Sequence, residues 1–193
     1  LFLRKGKKGE SKEKNIYYMK LEEIEQIACE IKGIFRKSVS KDIIILCIGS
    51  DLTVGDSLGP LVGTMLKENQ VPYHVYGTLE EPIHALNLKS RLAEINKQFN
   101  EPFILSIDAS LGDKSQVGRI FLEEGPLIPG KALNKGLPAV GDYHIKAVVN
   151  DVDPFSPQKF LQEIRLYTVM NLAKTIATII TQTATLKIHR QNE

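Results

Sequence analysis

The chain has 193 residues, 42% hydrophobic and 25% charged, which suits one compact domain built on a single core. Net charge is +2, and the excess is local: residues 1–14 hold six Lys/Arg against two Glu, leaving 19 basic and 21 acidic groups elsewhere. No global field therefore points to nucleic acid or an anionic surface. Two cysteines, Cys29 and Cys47, exclude a disulfide framework and a four-cysteine zinc site. Their apolar neighbours suggest two small buried hydrophobes.

Residues 1–15 form a Lys/Gly/Ser-rich arm with little to bury, expected to be disordered. The remainder, 16–193, reads as one α/β domain. Leu21, Ile24, Ile27, Ala28, Ile31, Ile34 and Phe35 follow helical spacing, which predicts a helix from Leu21 to Lys37. The period then changes. Ile43–Ile48 is a continuous β-branched run ending at Gly49, the pattern of a strand buried on both faces. A helix is expected from Ser57 through Leu66, then a strand at Tyr73–Tyr76. Pro82–Phe99 reads as a third helix with Pro82 in its first turn. Phe103–Ile107 is a third buried strand ending at Asp108, and Val117–Leu122 a fourth. Pro129–Asp142, rich in Gly and Pro, reads as loop. Ile145–Val149 fits a strand or a short helix, and a long helix is expected over about Pro157–Leu186. The alternation predicts a three-layer α/β/α fold with a mostly parallel, mixed sheet.

No segment reaches the ~20 apolar residues of a membrane span. The basic N-terminus lacks the apolar stretch of a signal peptide. A cytoplasmic location is expected, with no membrane and no nucleic-acid partner. The apolar helix Phe160–Ile180 offers a homodimer contact once its core face is satisfied.

Ligands of open α/β sheets bind beyond the carboxyl ends of the strands, at a topological switch point. With strand order beginning 2-1-3, that crevice lies between the first and third strands. The segments leaving them carry Asp51 and Asp56, and Asp108 and Asp113. Two carboxylates brought together there would share a proton, one serving as acid and the other as base, the equipment for hydrolysing an amide with water. Each also has a bland role. Asp56 fits an N-cap, Asp108 a bond to the loop that follows it, and Asp51 and Asp113 turn residues. Phosphate-loop and dinucleotide fingerprints are absent, as is a G-x-S-x-G elbow. His84 follows Glu80 and Glu81, and His144 follows Asp142. Such groups converging on one crevice would suit a metal ion, although no tight ligand spacing supports one. Helix capping by the glutamates and ordinary polar contacts for the histidines explain them better than a metal does.

The stretches CIGSDLTVGDSLGPLVGTML, VYGTLEEPIHALNL, SIDASLG, GPLIPGKALNKGLPAVGD and HIKAVVN resemble the YyaC family of sporulation proteins. That family is similar to the spore germination protease and to the hydrogenase-maturation endopeptidases, which implies a phosphorylase/hydrolase-like α/β/α fold. The germination protease uses an aspartate pair. Its first member precedes A-L-G-P, matching Asp56 before Ser57-Leu58-Gly59-Pro60. The second ends an I-D-A strand, matching Asp108 in Ile107-Asp108-Ala109. In the maturation enzymes the same two positions bind nickel with a histidine, for which His144 is the nearest match. The resemblance also makes Glu80, Glu81 and His84 lining residues, with Asp51 and Asp142 as further substrate-binding candidates.

Three readings follow. The favoured one is a sporulation-associated peptidase that cleaves a protein or peptide through Asp56 and Asp108, with no cofactor, in the mother cell or the forespore. The second is a divalent-metal hydrolase or maturation factor using Asp56, Asp108 and His144. The third is a catalytically inactive, peptide-binding spore assembly factor.

Overall fold

The computed structural model describes residues 19–129, 137–151 and 164–184. The basic arm, residues 130–136 of the Gly/Pro-rich stretch, and residues 157–163 and 185–186 of the expected C-terminal helix lie outside the described residues.

Helix α1 spans Leu21–Lys37, with Glu22 and Glu23 in its first turn and Arg36 and Lys37 in its last, the arrangement its dipole favours. Ala28, Ile31 and Phe35 form its buried face. Cys29 is exposed, which corrects the expectation of two buried thiols. One residue past Ala28 along a helix is a rotation of roughly 100°, so apolar sequence neighbours do not carry Cys29 into the core.

Five strands follow: β1 Ile43–Cys47, β2 His74–Tyr76, β3 Phe103–Gly112, β4 Ile120–Glu124 and β5 Tyr143–Asp151. Their order across the sheet is β2-β1-β3-β5-β4. All neighbouring pairs are parallel except β4 with β5. The sheet is therefore mixed and mostly parallel, and it begins 2-1-3.

Strand alternation sorts the side chains into two cores. Ile43, Ile45 and Cys47 join Phe103, Leu105, Ile107, Ile145, Ala147 and Val149 beneath α1, α2 (Leu58–Glu68) and α4 (Leu166–Ala184). Ile44, Leu46 and Ile48 face the other way, against Leu88 and Ile95 of α3 (Leu88–Gln98) and against Leu127 and Val140. Both faces of β1 are thus covered, which explains its unbroken apolar run. Each fully buried Ile or Leu contributes about 1.5–3 kcal/mol relative to exposure.

Helix α3 and strands β3 and β4 depart from their expected bounds. Helix α3 begins at Leu88, not Pro82, because Ile83 is drawn into a parallel bridge with Ile48. Asn87 holds the intervening turn: its Oδ1 accepts from the His84 amide and its Nδ2 donates to the Pro82 carbonyl. Strand β3 runs on past Ile107 to Gly112 because β5 pairs along its whole far half. The 145–149 segment is strand, and β4 lies at Ile120–Glu124, after a turn through Gly118. Helix α4 spends Val169, Leu172, Ala173, Ile176, Ile179 and Ile180 on this chain's own core. Leu166 and Tyr167 are its exposed large apolar residues. Among the described residues no helix is long and apolar enough to cross a membrane.

Candidate functional site

The candidate site is built where β1 stops and β3 continues. The last β1–β3 pair is Cys47 with Ile107, and the Ile48 amide donates to the Ile107 carbonyl. The chain then swings away at Gly49, whose φ is +146°. Asp108 is the next residue of β3, so β1 no longer flanks it. The expectation of Asp108 at a strand terminus is corrected to Asp108 inside a strand, at the point where its neighbour leaves.

Gly49 is forced by geometry. A Cβ there would strike the backbone carbonyl of Asp56 and press on Pro60. That same carbonyl accepts from the Ser50 amide at 3.0 Å. Gly59 is equally constrained, because its Cβ would collide with the Ile48 carbonyl. The two glycines let the start of α2 lie directly on the end of β1. The G-S-D-L-T-V-G-D-S-L-G-P stretch is thus a backbone-to-backbone junction rather than a phosphate loop.

Asp56 lies in a 3-10 turn, Gly55–Ser57, immediately before α2. Ser57, not Asp56, stands at the N-cap position, and its hydroxyl donates back to the Val54 carbonyl at 2.7 Å. The turn packs against β3. A negative charge just ahead of a helix N-terminus is favoured by the helix dipole.

Asp108 retains some accessible surface, yet protein encloses most of its carboxyl. Burial pushes its pKa up to about 8, and the Asp56 charge pushes in the same direction. Two influences oppose this: the carboxylate accepts from the Ala109 amide, and Lys146 supplies a positive charge. A proton is therefore held at neutral pH by one carboxyl that senses the charge of the other. Burial and a neighbouring like charge both disfavour the ionised form.

Lys146 is the residue that sequence reasoning missed. It sits on β5 directly across from Asp108 in the strand register, and its Nζ donates to Glu123 Oε2 at 2.8 Å. This hydrogen bond holds the Glu123 carboxyl below its usual range. The clue in the sequence was a lysine interrupting the apolar run of HIKAVV.

The remaining candidates divide by place. Asp51 is exposed on the turn after β1, and that turn is held by Ser50, whose Oγ accepts from the Leu52 amide. Glu80 and Glu81 are exposed on the turn after β2, fixed by the Glu81 amide donating to Thr78 Oγ1. His84 follows, its Nδ1 accepting from the Leu86 amide at 3.3 Å. The Gly49 amide donates to the Ile83 carbonyl at 2.8 Å, so the turns after β1 and β2 rise side by side at the carboxyl end of the sheet. Leu52 and Leu86, 88% and 93% exposed, stand on these turns.

Asp142 and His144 do not belong with them, which corrects both expectations. Asp142 precedes β5 at the opposite end of the sheet, where its Oδ2 accepts from the Ile104 amide at 2.8 Å. It lines a hollow of about 380 Å³ with Lys37, Lys41 and Phe103, at the amino ends of the strands. His144 is buried two residues before Lys146. Its Nδ1 lies 2.8 Å from the Gly125 carbonyl and its Nε2 3.2 Å from Glu123 Oε2. A carbonyl only accepts, so Nδ1 carries a hydrogen and is closed to a metal.

Residues 15–179 match the family described as Protein of unknown function (DUF1256). The chain belongs to the DUF1256 family. Within reach of this DUF1256 chain is a Bacillus subtilis (strain 168) relative, "Uncharacterized protein YyaC", 45% identical over 153 residues, which are 79% of this chain and 74% of the relative. Among solved structures, the DUF1256 fold is similar to the NiFe hydrogenase maturation protease HycI from Thermococcus kodakarensis KOD1. The TM-score is 0.50 and the identity 18%, over 78% of this chain and 98% of that one. The maturation protease HybD from Thermococcus kodakarensis gives a TM-score of 0.46 and 19% identity, over 74% and 99% of the two chains. The fold of this DUF1256 chain is therefore of the maturation-protease type.

The nickel site implied by the resemblance to the maturation enzymes does not fit here. Among the described residues no group of three His, Cys, Asp or Glu side chains is placed to hold a metal ion. His144, the expected third ligand, is tied to Gly125 and Glu123.

Proposed function

We propose that this chain is a peptidase in which Asp56 and Asp108 share one proton and drive water onto an amide. The observation that carries the reading is the packing of the Asp56 turn against β3 where β1 leaves the sheet, together with the rise of the Asp108 pKa to about 8 under burial and the Asp56 charge. The ionised Asp56 takes a proton from water as the water oxygen attacks the amide carbon. Asp108 gives its proton to the carbonyl oxygen, which leaves a neutral tetrahedral diol. Asp56 then passes its proton to the amide nitrogen, the C–N bond breaks, and Asp108 recovers a proton from one diol hydroxyl. Acid and base are restored at the end of the cycle. Since the pair titrates as a unit, the two roles are interchangeable between turnovers.

The substrate in this reading is a protein or peptide. Exposed Leu52 and Leu86 beside the acidic turn residues Asp51, Glu80 and Glu81 favour a segment carrying apolar side chains. On the motif resemblance to a family of sporulation proteins, the activity belongs in this reading to spore formation or germination, in the cytoplasm of the mother cell or the forespore. Purified chain incubated with a denatured-protein mixture and a peptide library, read by mass spectrometry, tests the proposal. Cleavage that disappears in both Asp56→Asn and Asp108→Asn, with folding intact by circular dichroism, supports it. Full cleavage by either variant overturns the mechanism. Peptide retention without cleavage by the wild type and both variants identifies the site as a binding groove instead.

A further inference from the structure

Lysine is an uncommon occupant of an interior strand, because taking an ammonium out of water is costly unless it is paired. β5 lies between β3 and β4, and the Lys146 side chain, 34% exposed, interrupts the buried run of Ile145, Ala147 and Val148. Its register partner is Asp108 on one side and Phe121 on the other. Register partners on neighbouring strands project from the same face, with the backbones roughly 4.8 Å apart. Lys146 and Asp108 therefore leave the sheet side by side. Glu123, on the far strand, accepts from Lys146 Nζ at 2.8 Å and faces His144 Nε2 at 3.2 Å. One carboxylate thus fixes both the lysine and the histidine.

We propose that Lys146 is the resident cation of the Asp56–Asp108 site, and that its ammonium, steered by Glu123, closes the carboxylate pair to a divalent metal ion. A cation bound between Asp56 and Asp108 would have to sit beside this ammonium. It would also need a third donor, and His144 is held away by the same Glu123. The site takes its positive charge from the chain itself. This inference concerns the same two aspartates but does not require them to be catalytic, so its test stands apart from any assay of cleavage.

The test is calorimetric titration of nickel chloride and, separately, zinc chloride into the full chain at pH 7.5. Four proteins are compared: wild type, Asp56→Asn, Lys146→Met and Lys146→Met/Asp56→Asn. The expected result is identical metal isotherms for wild type and Asp56→Asn. Lys146→Met should bind one ion at least about tenfold more tightly than wild type, and the gain should vanish in the double variant. Wild-type binding that is lost in Asp56→Asn would overturn the proposal, as would no gain in a folded Lys146→Met. Should Lys146→Met fail to fold, Lys146→Gln serves in its place, and the wild-type comparison with Asp56→Asn decides on its own.

Discussion

Asp108 faces Lys146 across the β3–β5 pairing, one residue beyond the last contact between β3 and β1. The position matters because three strands meet there: β1 leaves, β3 continues and β5 brings the cation. An acid with protein on most sides and one flank opened by a departing strand is both desolvated and reachable.

The first consequence concerns stability. The Asp108 pKa is raised from 3.8 to about 8 in the folded chain. Between those values the folded state holds a proton that the unfolded state has released, so stability falls as pH rises through that window. Asp108→Asn removes this dependence. The variant is expected to exceed wild type in stability on the order of 2 kcal/mol near pH 8.5, and to converge toward it below pH 4. Urea unfolding at pH 4, 6 and 8.5 checks this; a stability difference that does not grow with pH contradicts it.

Activity should carry the same mark. Peptide cleavage is expected to decline as pH passes about 8, where Asp108 gives up its proton and the acid of the pair is lost. Rates measured from pH 5 to 10 at saturating substrate report it. A rate that stays flat to pH 10 is incompatible with a protonated Asp108 as donor.

Much of this arrangement could be read from the chain. The β1 run, the amphipathic period of α1 and the alternation of elements follow from which residues must be buried, and burial leaves a period in sequence. Asp108 stands out because it follows a buried run, and Asp56 because it precedes a helix on the segment leaving the first strand. The pairing of β3 with β5 had no local mark, however, and it decides the neighbours of Asp108. Lys146 gains its partner only once β3 lies beside β5. His144 read as a ligand because it stands near Asp142 in sequence. On a parallel strand two residues span about 7 Å, and that distance, with Glu123 and Gly125, keeps it with its own partners. Ile83 was assigned to a helix because Pro82 fits a first turn; its bridge to Ile48 is a tertiary contact that local preference does not encode.

The junction between α2 and β1 gives a structural prediction. Gly59→Ala would drive a methyl group into the Ile48 carbonyl. The backbone there is held by strand pairing and by the Gly49–Ile83 bond, so it cannot yield cheaply. A loss of roughly 1–3 kcal/mol is expected, the range for overpacking, together with reduced activity because Asp56 shifts with the start of α2. Denaturant unfolding measures the first; a variant as stable as wild type would show the junction to be looser than described.

The two thiols should separate cleanly. Cys29 is exposed on α1, whereas Cys47 is fully buried in β1 and burial pushes its thiol pKa strongly upward. Ellman's reagent at pH 8 is expected to titrate one thiol per folded chain and two after denaturation. Two fast-reacting thiols in the native protein would contradict the burial of β1.

The central claim is that Asp56 and Asp108 behave as one acid, and carboxyl carbon NMR of selectively labelled aspartate tests it most directly. In wild type, the Asp108 signal should report a proton retained to about pH 8. In Asp56→Asn, with the neighbouring charge removed, the same signal should titrate at lower pH. An Asp108 already ionised at pH 5, or one whose titration ignores the loss of Asp56, would contradict the account.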